Sequence, residues 1–247
     1  MRATFVLVFF LALQSVFWYR THDIVPDMSI VPDVPGQETV KALSFGDEHA
    51  FFRLLGLRLQ NAGDTFGRFT ALYKYDYNKL YHWMRLLDSL DDTSNYIPSM
   101  ATYYYSQTQN TADVKYIVDY LVEHSAHRVE EKWWWLVQAV YLANHKLQDQ
   151  DMALQVANML KGEADIPVWV QQLPAFIHEQ RGEFDAAAVI IQQVLENEDD
   201  LDQGELNFIT HFAEERIERM KELEGLIEQR RQELKQKQQD AGTETTQ

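Results

Sequence analysis

WWWLVQAVYL at residues 133–142 and DMALQVANML at residues 151–160 form a pair of amphipathic patterns with helical spacing. WVQQLPAFIH at 169–178 and RGEFDAAAVIIQQVL at 181–195 repeat this pair, and the second pair begins 36 residues after the first. A fixed period in this range, made of two helices, is typical of a helical solenoid. The pattern therefore predicts an all-α fold of antiparallel helix pairs, and it favours protein binding as the kind of function.

The composition of the 247-residue chain supports this fold and narrows the classes of function. Ten glycines and six prolines are few for a β-sandwich or β-barrel, and they favour helices joined by short turns. A net charge of −16 argues against nucleic-acid binding, because the chain would be repelled by phosphate backbones. The chain has no cysteine, which excludes disulfides, zinc–thiolate sites and thiol catalysis.

The N-terminal segment has the composition of a membrane anchor. Residues 3–19 carry no charge, and as a helix they would be roughly 25 Å long, at the short end of what crosses a bilayer. Trp18, Tyr19 and Arg20 follow at its end and are typical of a membrane interface. We expect residues 1–20 to be an uncleaved transmembrane anchor. The alternatives are a cleaved signal peptide and a buried helix of a soluble protein.

The positive charges around this anchor indicate which side of the membrane holds the rest of the chain. Arg2 and the α-amine lie on the N-terminal side, and acidic residues count little in the positive-inside rule. The slight bias favours a cytoplasmic N-terminus in a single-pass protein. In a bacterium, the helical domain would then lie in the periplasm.

Residues 21–46 are predicted to form an extended, proline-containing linker. IVPD occurs at residues 24–27 and again at 30–33, and Pro35 follows. Proline lacks a backbone N–H and disfavours a helical conformation in the residue before it. We favour a spacer between membrane and domain. The alternative is a strand-like segment that grips a partner.

Helical patterns continue over residues 47–202, which we assign to the repeats. HAFFRLLGLRLQ at 49–60 should begin near Asp47, and YNKLYHWMRLLDSL at 77–90 could be capped by Asp76. A second pair is predicted to begin near residue 93. The first pair thus precedes three further pairs along the chain.

The later pairs place small, aromatic and glycine residues in a recurring order. The fourth pair carries Ala175, Gly182, Phe184, Ala187, Ile191 and Val194, and the third carries Trp135, Ala139, Leu142, Ala153 and Ala157. This order resembles the tetratricopeptide repeat (TPR) family, over residues 95–197 and more weakly over 47–92. The resemblance implies a right-handed solenoid with a concave inner surface. Alanine at a crossing would let neighbouring helices approach closely.

A long helical pattern over residues 203–238 follows an acidic turn. We interpret it as a capping helix, because a terminal repeat needs a cover with a polar outer face. The alternative is a coiled coil that forms a homodimer, since several apolar residues fit heptad spacing but Arg230 interrupts them. Residues 239–247 are rich in polar residues and are predicted to be a disordered tail.

Trp133, Trp134 and Trp135 are the most unusual local feature. On a helix they point in directions about 100° apart, so they cannot all face one core. If Trp135 packs inward, as the resemblance implies, Trp133 faces the concave surface and Trp169 occupies the matching position one repeat later. The residues predicted to share this partner-binding groove are Tyr105, Trp133, Trp169, Gln172, Phe176 and Gln180. Such tryptophans could be binding hot spots, or they could simply pack internally.

The sequence contains no motif that specifies a reaction or a cofactor. His124 and His127 lie three residues apart near Glu123 and Glu130, but no further ligands of known geometry are visible. A solvated helix end is the favoured interpretation. We therefore expect no catalytic residues, no cofactor and no metal site.

Together these features predict a non-catalytic, membrane-anchored scaffold for protein–protein interactions. Its concave surface would bind a peptide or helix of another protein, and the acidic chain favours a basic partner. The alternative is a structural subunit or assembly factor of a membrane protein complex, marked by a large exposed apolar patch. An enzyme would instead require a pocket in which carboxylates or histidines converge.

Overall fold

The computed structural model describes residues 2–23, 29–65, 67–161 and 166–196, and the isolated positions 218, 221, 222, 225, 231 and 232. These residues confirm the all-α prediction. The α-helices are α1 (Arg2–Thr21), α2 (Gln37–Leu43), α3 (Glu48–Gln60), α4 (Tyr77–Asp88), α5 (Tyr96–Tyr103), α6 (Val114–Ser125), α7 (Val129–Tyr141), α8 (Gln150–Asn158), α9 (Val168–Gln171), α10 (Leu173–Gln180) and α11 (Phe184–Glu196). A short antiparallel pair, β1 (Asp64–Thr65) with β2 (Arg68–Phe69), lies between α3 and α4.

Aspartate side chains determine where three of these helices begin. Asp47 accepts a hydrogen bond from the Ala50 N–H at 2.9 Å, as predicted for the start of α3. Asp76 does the same at the start of α4, and Asp149 at the start of α8. Each carboxylate satisfies an N–H group that has no partner within the helix, so the caps fix the helix starts locally.

The core is a continuous apolar cluster between successive helices from α3 to α10. The alanines of the repeating pattern are buried where helices pack: Ala139, Ala153, Ala157, Ala175 and Ala187. A smaller cluster of Ala175, Ala187 and Ile191 joins α10 to α11. Small side chains at these places allow the close helix approach that the sequence pattern requires.

Side-chain contacts recur between positions 36 residues apart. Within the described residues the pairs are Gln60 with Tyr96, Asp88 with His124 (2.6 Å), Asp92 with Arg128 (2.7 Å), Asn144 with Gln180 (2.8 Å) and Trp133 with Trp169 (ring centroids 6.0 Å apart). A position on one helix pair thus contacts the corresponding position on the next pair. The period seen in the sequence is therefore also a period of spatial contact.

The segment predicted as an extended linker has a more definite structure. Residues Gln37–Leu43 form α2 within it, and Val31 is buried. The Trp83 indole N–H of α4 donates to the Pro32 carbonyl at 2.8 Å, and Lys79 pairs with Asp33 at 2.6 Å. The second IVPD copy therefore packs on α4, because α4 offers it both an apolar surface and polar partners. The first IVPD copy, residues 24–27, lies outside the described residues.

α1 differs from the other helices because its side chains from Thr4 to Arg20 are exposed. By length and composition it could cross a membrane, a criterion that signal sequences also meet. The predicted capping helix over 203–238 and the tail over 239–247 lie outside the described residues, apart from the isolated positions given above. The alternatives of a cap and a dimeric coiled coil stay predictions.

Candidate functional site

The structure brings the two predicted groove tryptophans into contact. The rings of Trp133 on α7 and Trp169 on α9 have centroids 6.0 Å apart and planes at 82°. This edge-to-face arrangement is favourable because the positive edge of one ring meets the negative face of the other. Trp133 and Trp169 are 36 residues apart, so the contact joins positions separated by one period of the sequence pattern.

Two further aromatic side chains extend this contact. The Trp134 ring lies 5.8 Å from that of Trp133, and its indole N–H donates to the Tyr103 hydroxyl at 3.2 Å. We call Tyr103, Trp134, Trp133 and Trp169 the aromatic strip. It runs from α5 across α7 to α9, the first helices of three successive pairs.

Most of the aromatic strip is open to solvent. Tyr103 is 56% exposed, Trp134 41% and Trp169 40%, whereas Trp133 is partly buried against the core. The neighbouring Trp135 is buried and donates its indole N–H to Asn95 at 3.0 Å. A row of large aromatic side chains left partly exposed is the composition expected at the centre of a protein interface.

Tyr105, predicted to face the groove, lies in the interior instead. It is fully buried, and its hydroxyl donates to the Leu59 carbonyl at 2.7 Å. α5 ends at Tyr103 and a 3-10 turn over Tyr105–Gln107 follows, so the helical register does not extend to Tyr105. Tyr103, at the end of α5, is exposed and takes the place in the aromatic strip that was predicted for Tyr105.

The remaining predicted groove residues are placed differently from one another. Gln172 is buried, Phe176 is partly buried and Gln180 is exposed. α9 ends at Gln171 and α10 begins at Leu173, so the single helix predicted here is interrupted at Gln172. The interruption explains why one register does not place all three on a common open face.

Three buried tyrosines lie in edge-to-face contact around Tyr105, and we call them the buried tyrosine cluster: Tyr75, Tyr77 and Tyr105. The Tyr77 hydroxyl donates to the Tyr105 carbonyl at 2.7 Å, and the Tyr75 hydroxyl donates to the Ala62 carbonyl. Burial raises the pKa of all three, that of Tyr75 from 10.0 to about 12. Each hydroxyl therefore keeps its proton at neutral pH and acts as a donor.

A polar cavity of about 560 Å³ lies between the α2 region, α4, α6 and α7. Its ionisable lining includes His82, Arg85, Asp88, Glu123, His124 and Lys132. Carboxylates and histidines thus do converge here, which is the arrangement that an enzyme would need. The hydrogen bonds of these groups decide what the cavity can do.

Asp88 is the centre of the bonding in this cavity. It accepts a hydrogen bond from Tyr120 at 2.9 Å and lies 2.6 Å from Nδ1 of His124. Nζ of Lys132 donates to the His124 carbonyl at 2.9 Å, and burial lowers the pKa of Lys132 against the opposing effect of Asp92. These bonds tie α4 to α6 and α7, as in a satisfied structural network.

The histidines considered as metal ligands are separated by their surroundings. The His124 side chain is buried and bonded to Asp88, whereas His127 is exposed. Among residues 2–23, 29–65, 67–161 and 166–196 and the isolated positions, no group of three His, Asp or Glu side chains is arranged to hold a metal ion. Glu123 is bound instead by Arg85 at 2.7 Å and by Tyr81 at 2.6 Å.

The predicted membrane-interface residues lie in the last turn of α1. Trp18, Tyr19 and Arg20 are all exposed, and the Trp18 ring stacks on His22 with centroids 4.6 Å apart. Amphipathic aromatic rings at the end of an apolar helix have the placement expected at headgroup level.

Comparison with known proteins gives no match to a family model, to a curated protein or to a solved structure. The function is therefore inferred from the side chains that the fold brings together.

Proposed function

We propose that this protein is a non-catalytic scaffold, anchored in a membrane by α1, that binds another protein through the aromatic strip. The observation that carries the proposal is the contact of Trp133 with Trp169, 36 residues apart, within a row of exposed aromatic side chains. The recurring 36-residue contacts support a TPR-like right-handed solenoid. In that arrangement α5, α7 and α9 line the concave side.

The aromatic strip fits a peptide or helix that carries apolar and basic side chains. Tyrosine and tryptophan offer large apolar rings together with a polar donor, which suits a mixed ligand. Glu130 and Glu131 are exposed in the first turn of α7, shortly before Trp133, and Glu131 pairs with Arg128 at 3.2 Å, which leaves Glu130 open to a partner. Together with the net charge of −16, they favour a basic partner through electrostatic complementarity.

The polar cavity has a structural role in this proposal, because its central groups are bonded to one another. Replacing Asp88 with Asn should lower the free energy of unfolding while leaving partner recovery intact. Chemical denaturation and recovery of the partner from membranes measure the two effects. Loss of recovery without loss of stability would make the cavity the functional site and would contradict a role for the aromatic strip.

The test of the aromatic strip is partner recovery from solubilised membranes. The Trp133→Ala, Trp169→Ala double variant should lose about tenfold or more of the recovered partner, as expected for paired hot spots. Because Trp133 also packs against the core, a second variant combines Trp134→Ala with Trp169→Ala and leaves Trp133 in place.

The matched control replaces Tyr73 and Val189 with Ala, since both are exposed and lie outside α5, α7 and α9. Circular dichroism verifies that all variants are folded. Equal recovery by the folded strip variants and the control would contradict the proposal.

The proposal also places α1 across a membrane with its N-terminus in the cytoplasm and the helical body in the periplasm. Protease added to spheroplasts should then digest a tag on the helical body but spare one at the N-terminus. Protection of the tag on the helical body would show the opposite orientation, with the helical body in the cytoplasm, and would not contradict the membrane anchor.

A further inference from the structure

A second exposed apolar surface lies along α3 and its two flanking turns. Leu54 and Leu57 on α3 are 59% and 53% exposed, and Phe45 and Phe69 beyond its two ends are 91% and 84% exposed. We call these four residues the α3 face. We propose that the α3 face rests on the bilayer that α1 crosses, so that the helical body lies against the membrane surface. This inference relies on the part of the proposed function that places α1 in a membrane.

α3 carries apolar side chains on both its inner and its outer side. Its inner side buries Phe52, Leu55 and Leu59 in the core. Its outer side exposes Arg53, Leu54, Leu57 and Arg58, which recur at the three- and four-residue spacing of one helical stripe. Leucines flanked by arginines are typical of a helix at a membrane interface, where the apolar groups enter the acyl boundary and the guanidinium groups reach the headgroups.

The two arginines of this stripe are available to lipid phosphates. Within the described part of the chain, Arg53 and Arg58 make no ion pair. Three arginines of the later helices behave differently: Arg85 pairs with Glu123, Arg128 with Asp92 and Arg181 with Asp151. A guanidinium group binds phosphate oxygens in a bidentate manner, so unpaired arginines beside exposed leucines fit anionic headgroups.

The charge around the α3 face also fits a lipid surface. Residues 37–79 carry six Lys or Arg and five Asp or Glu, whereas the whole chain carries 22 and 38. This segment is therefore close to neutral in a strongly acidic protein. An anionic bilayer would repel most of the body but not this part of it.

Phe45 lies in the turn between α2 and α3 and contributes the most exposed side chain of the α3 face. Its φ of 52° lies in the left-handed region, which is unfavourable for a bulky side chain, yet the ring is almost completely exposed. Phe45 directly follows Ser44, the C-cap of α2, where a left-handed residue is a common way for a helix to end. This turn presents the ring outward before α3, as insertion into an apolar layer requires.

The connection to α1 is short enough to hold the body at the membrane. α1 ends at Thr21 and Val31 is already buried against the body, so the two are at most about 36 Å apart along a fully extended chain. A domain of the size of residues 29–196 is about 40 Å across. The body therefore cannot move away from the bilayer by its own diameter, and α2 and α3 follow directly after the attachment point.

The absence of cysteine allows a direct test on the full chain. Phe45→Cys, Leu57→Cys and Phe69→Cys are each labelled with a polarity-sensitive fluorophore and reconstituted into vesicles of phosphatidylcholine and phosphatidylglycerol. Tyr141→Cys and Val189→Cys are the exposed controls, and Leu11→Cys within α1 is the membrane reference. Lipids that carry a nitroxide quencher near the headgroup report contact with the bilayer.

We expect the probes at the α3 face to shift to shorter emission wavelengths and to lose most of their fluorescence with the quencher lipid, while both controls remain unchanged. Quenching at Leu11 without quenching at the α3 face would overturn this inference and leave the membrane anchor intact. No quenching at Leu11 would overturn both. A wavelength shift without lipid quenching would also overturn the inference, because it would assign the α3 face to a protein, as in a structural subunit of a complex.

A second measurement tests the role of the arginines. Arg53→Gln with Arg58→Gln should reduce the quenching at Leu57→Cys in vesicles that contain phosphatidylglycerol, and lysine at both positions should restore part of it. Unchanged quenching in the glutamine variant would overturn the proposed contact between these arginines and anionic headgroups.

Discussion

Tyr103 and Tyr105 are two residues apart, yet the first belongs to the aromatic strip and the second to the buried tyrosine cluster. Tyr105 donates its hydroxyl to the main chain at Leu59, in a segment far away in sequence. The Tyr103 hydroxyl accepts a hydrogen bond from Trp134, another member of the aromatic strip. The aromatic strip and the buried tyrosine cluster thus contain similar side chains, but the hydroxyl of Tyr105 bonds to a main-chain carbonyl and that of Tyr103 to a side chain.

This difference separates a structural role from a binding role. The buried tyrosine cluster joins the end of α3, the start of α4 and the turn after α5 through main-chain carbonyls, so the fold depends on it. The polar atoms of the aromatic strip bond mainly within the aromatic strip, and its rings remain partly exposed. Substitutions in the first cluster should therefore change stability, and those in the second should change partner binding.

The largest expected effect on stability comes from Tyr105→Ala. Removing a fully buried ring leaves a cavity and takes one donor from the Leu59 carbonyl, so the free energy of unfolding should fall by about 3–5 kcal/mol. Chemical denaturation followed by circular dichroism measures this change. Tyr103→Ala is the matched variant, and a loss of stability as large as that of Tyr105→Ala would contradict the separation of the two clusters.

Tyr77→Phe should have a smaller effect within the same cluster. It keeps the ring but removes one donor to the buried Tyr105 carbonyl, which still accepts from the Thr108 N–H at 3.3 Å, so the cost should be about 0.5–1.5 kcal/mol. Tyr73→Phe serves as the control, because Tyr73 is exposed. Similar denaturation midpoints for the two variants would show that the buried hydrogen bond contributes nothing.

Alkaline pH should weaken the buried tyrosine cluster. Burial raises the pKa of Tyr75 from 10.0 to about 12, so the folded state favours the protonated hydroxyl. The stability contributed by this shift is fully present below pH 10 and is lost as pH rises through 12. Denaturation midpoints across this range should fall less steeply for Tyr75→Phe than for the wild type, and equal slopes would contradict the assignment.

The smallest expected effect on stability comes from Trp134→Ala. The side chain is partly exposed and its hydrogen bond to Tyr103 is near the surface, so the free energy of unfolding should change by about 0.5 kcal/mol or less. The same denaturation assay measures the change. A loss approaching that of Tyr105→Ala would make the aromatic strip part of the core.

Local signals in the sequence were sufficient to predict much of the fold. Asp47 and Asp76 cap the helices that follow them, because capping depends on a few neighbouring residues. The alanines at the predicted crossings are buried, because the repeating pattern records which helix faces meet. The packing of residues 30–33 on α4 could not be predicted in this way, since it depends on Trp83 and Lys79 about 50 residues later.

The candidate site was predictable where the helical register is uninterrupted. Trp133 and Trp169 are in contact, as their spacing of one repeat implies. The prediction for Tyr105 was wrong because α5 ends at Tyr103. The end of this helix is determined by tertiary packing rather than by the local sequence pattern. Trp134 was missed because its exposed position depends on Tyr103, which receives its indole hydrogen bond.

The most direct test of the binding role is photocrosslinking in intact membranes. Benzoylphenylalanine replaces Tyr103 or Trp169 in the aromatic strip, and Tyr73 is the exposed control position outside α5, α7 and α9. We expect both strip positions to crosslink to the same second polypeptide, the control to give no such product, and Trp134→Ala to weaken the crosslink at Tyr103. Absence of a product at both strip positions, or the same product at Tyr73, would contradict a partner-binding role for the aromatic strip.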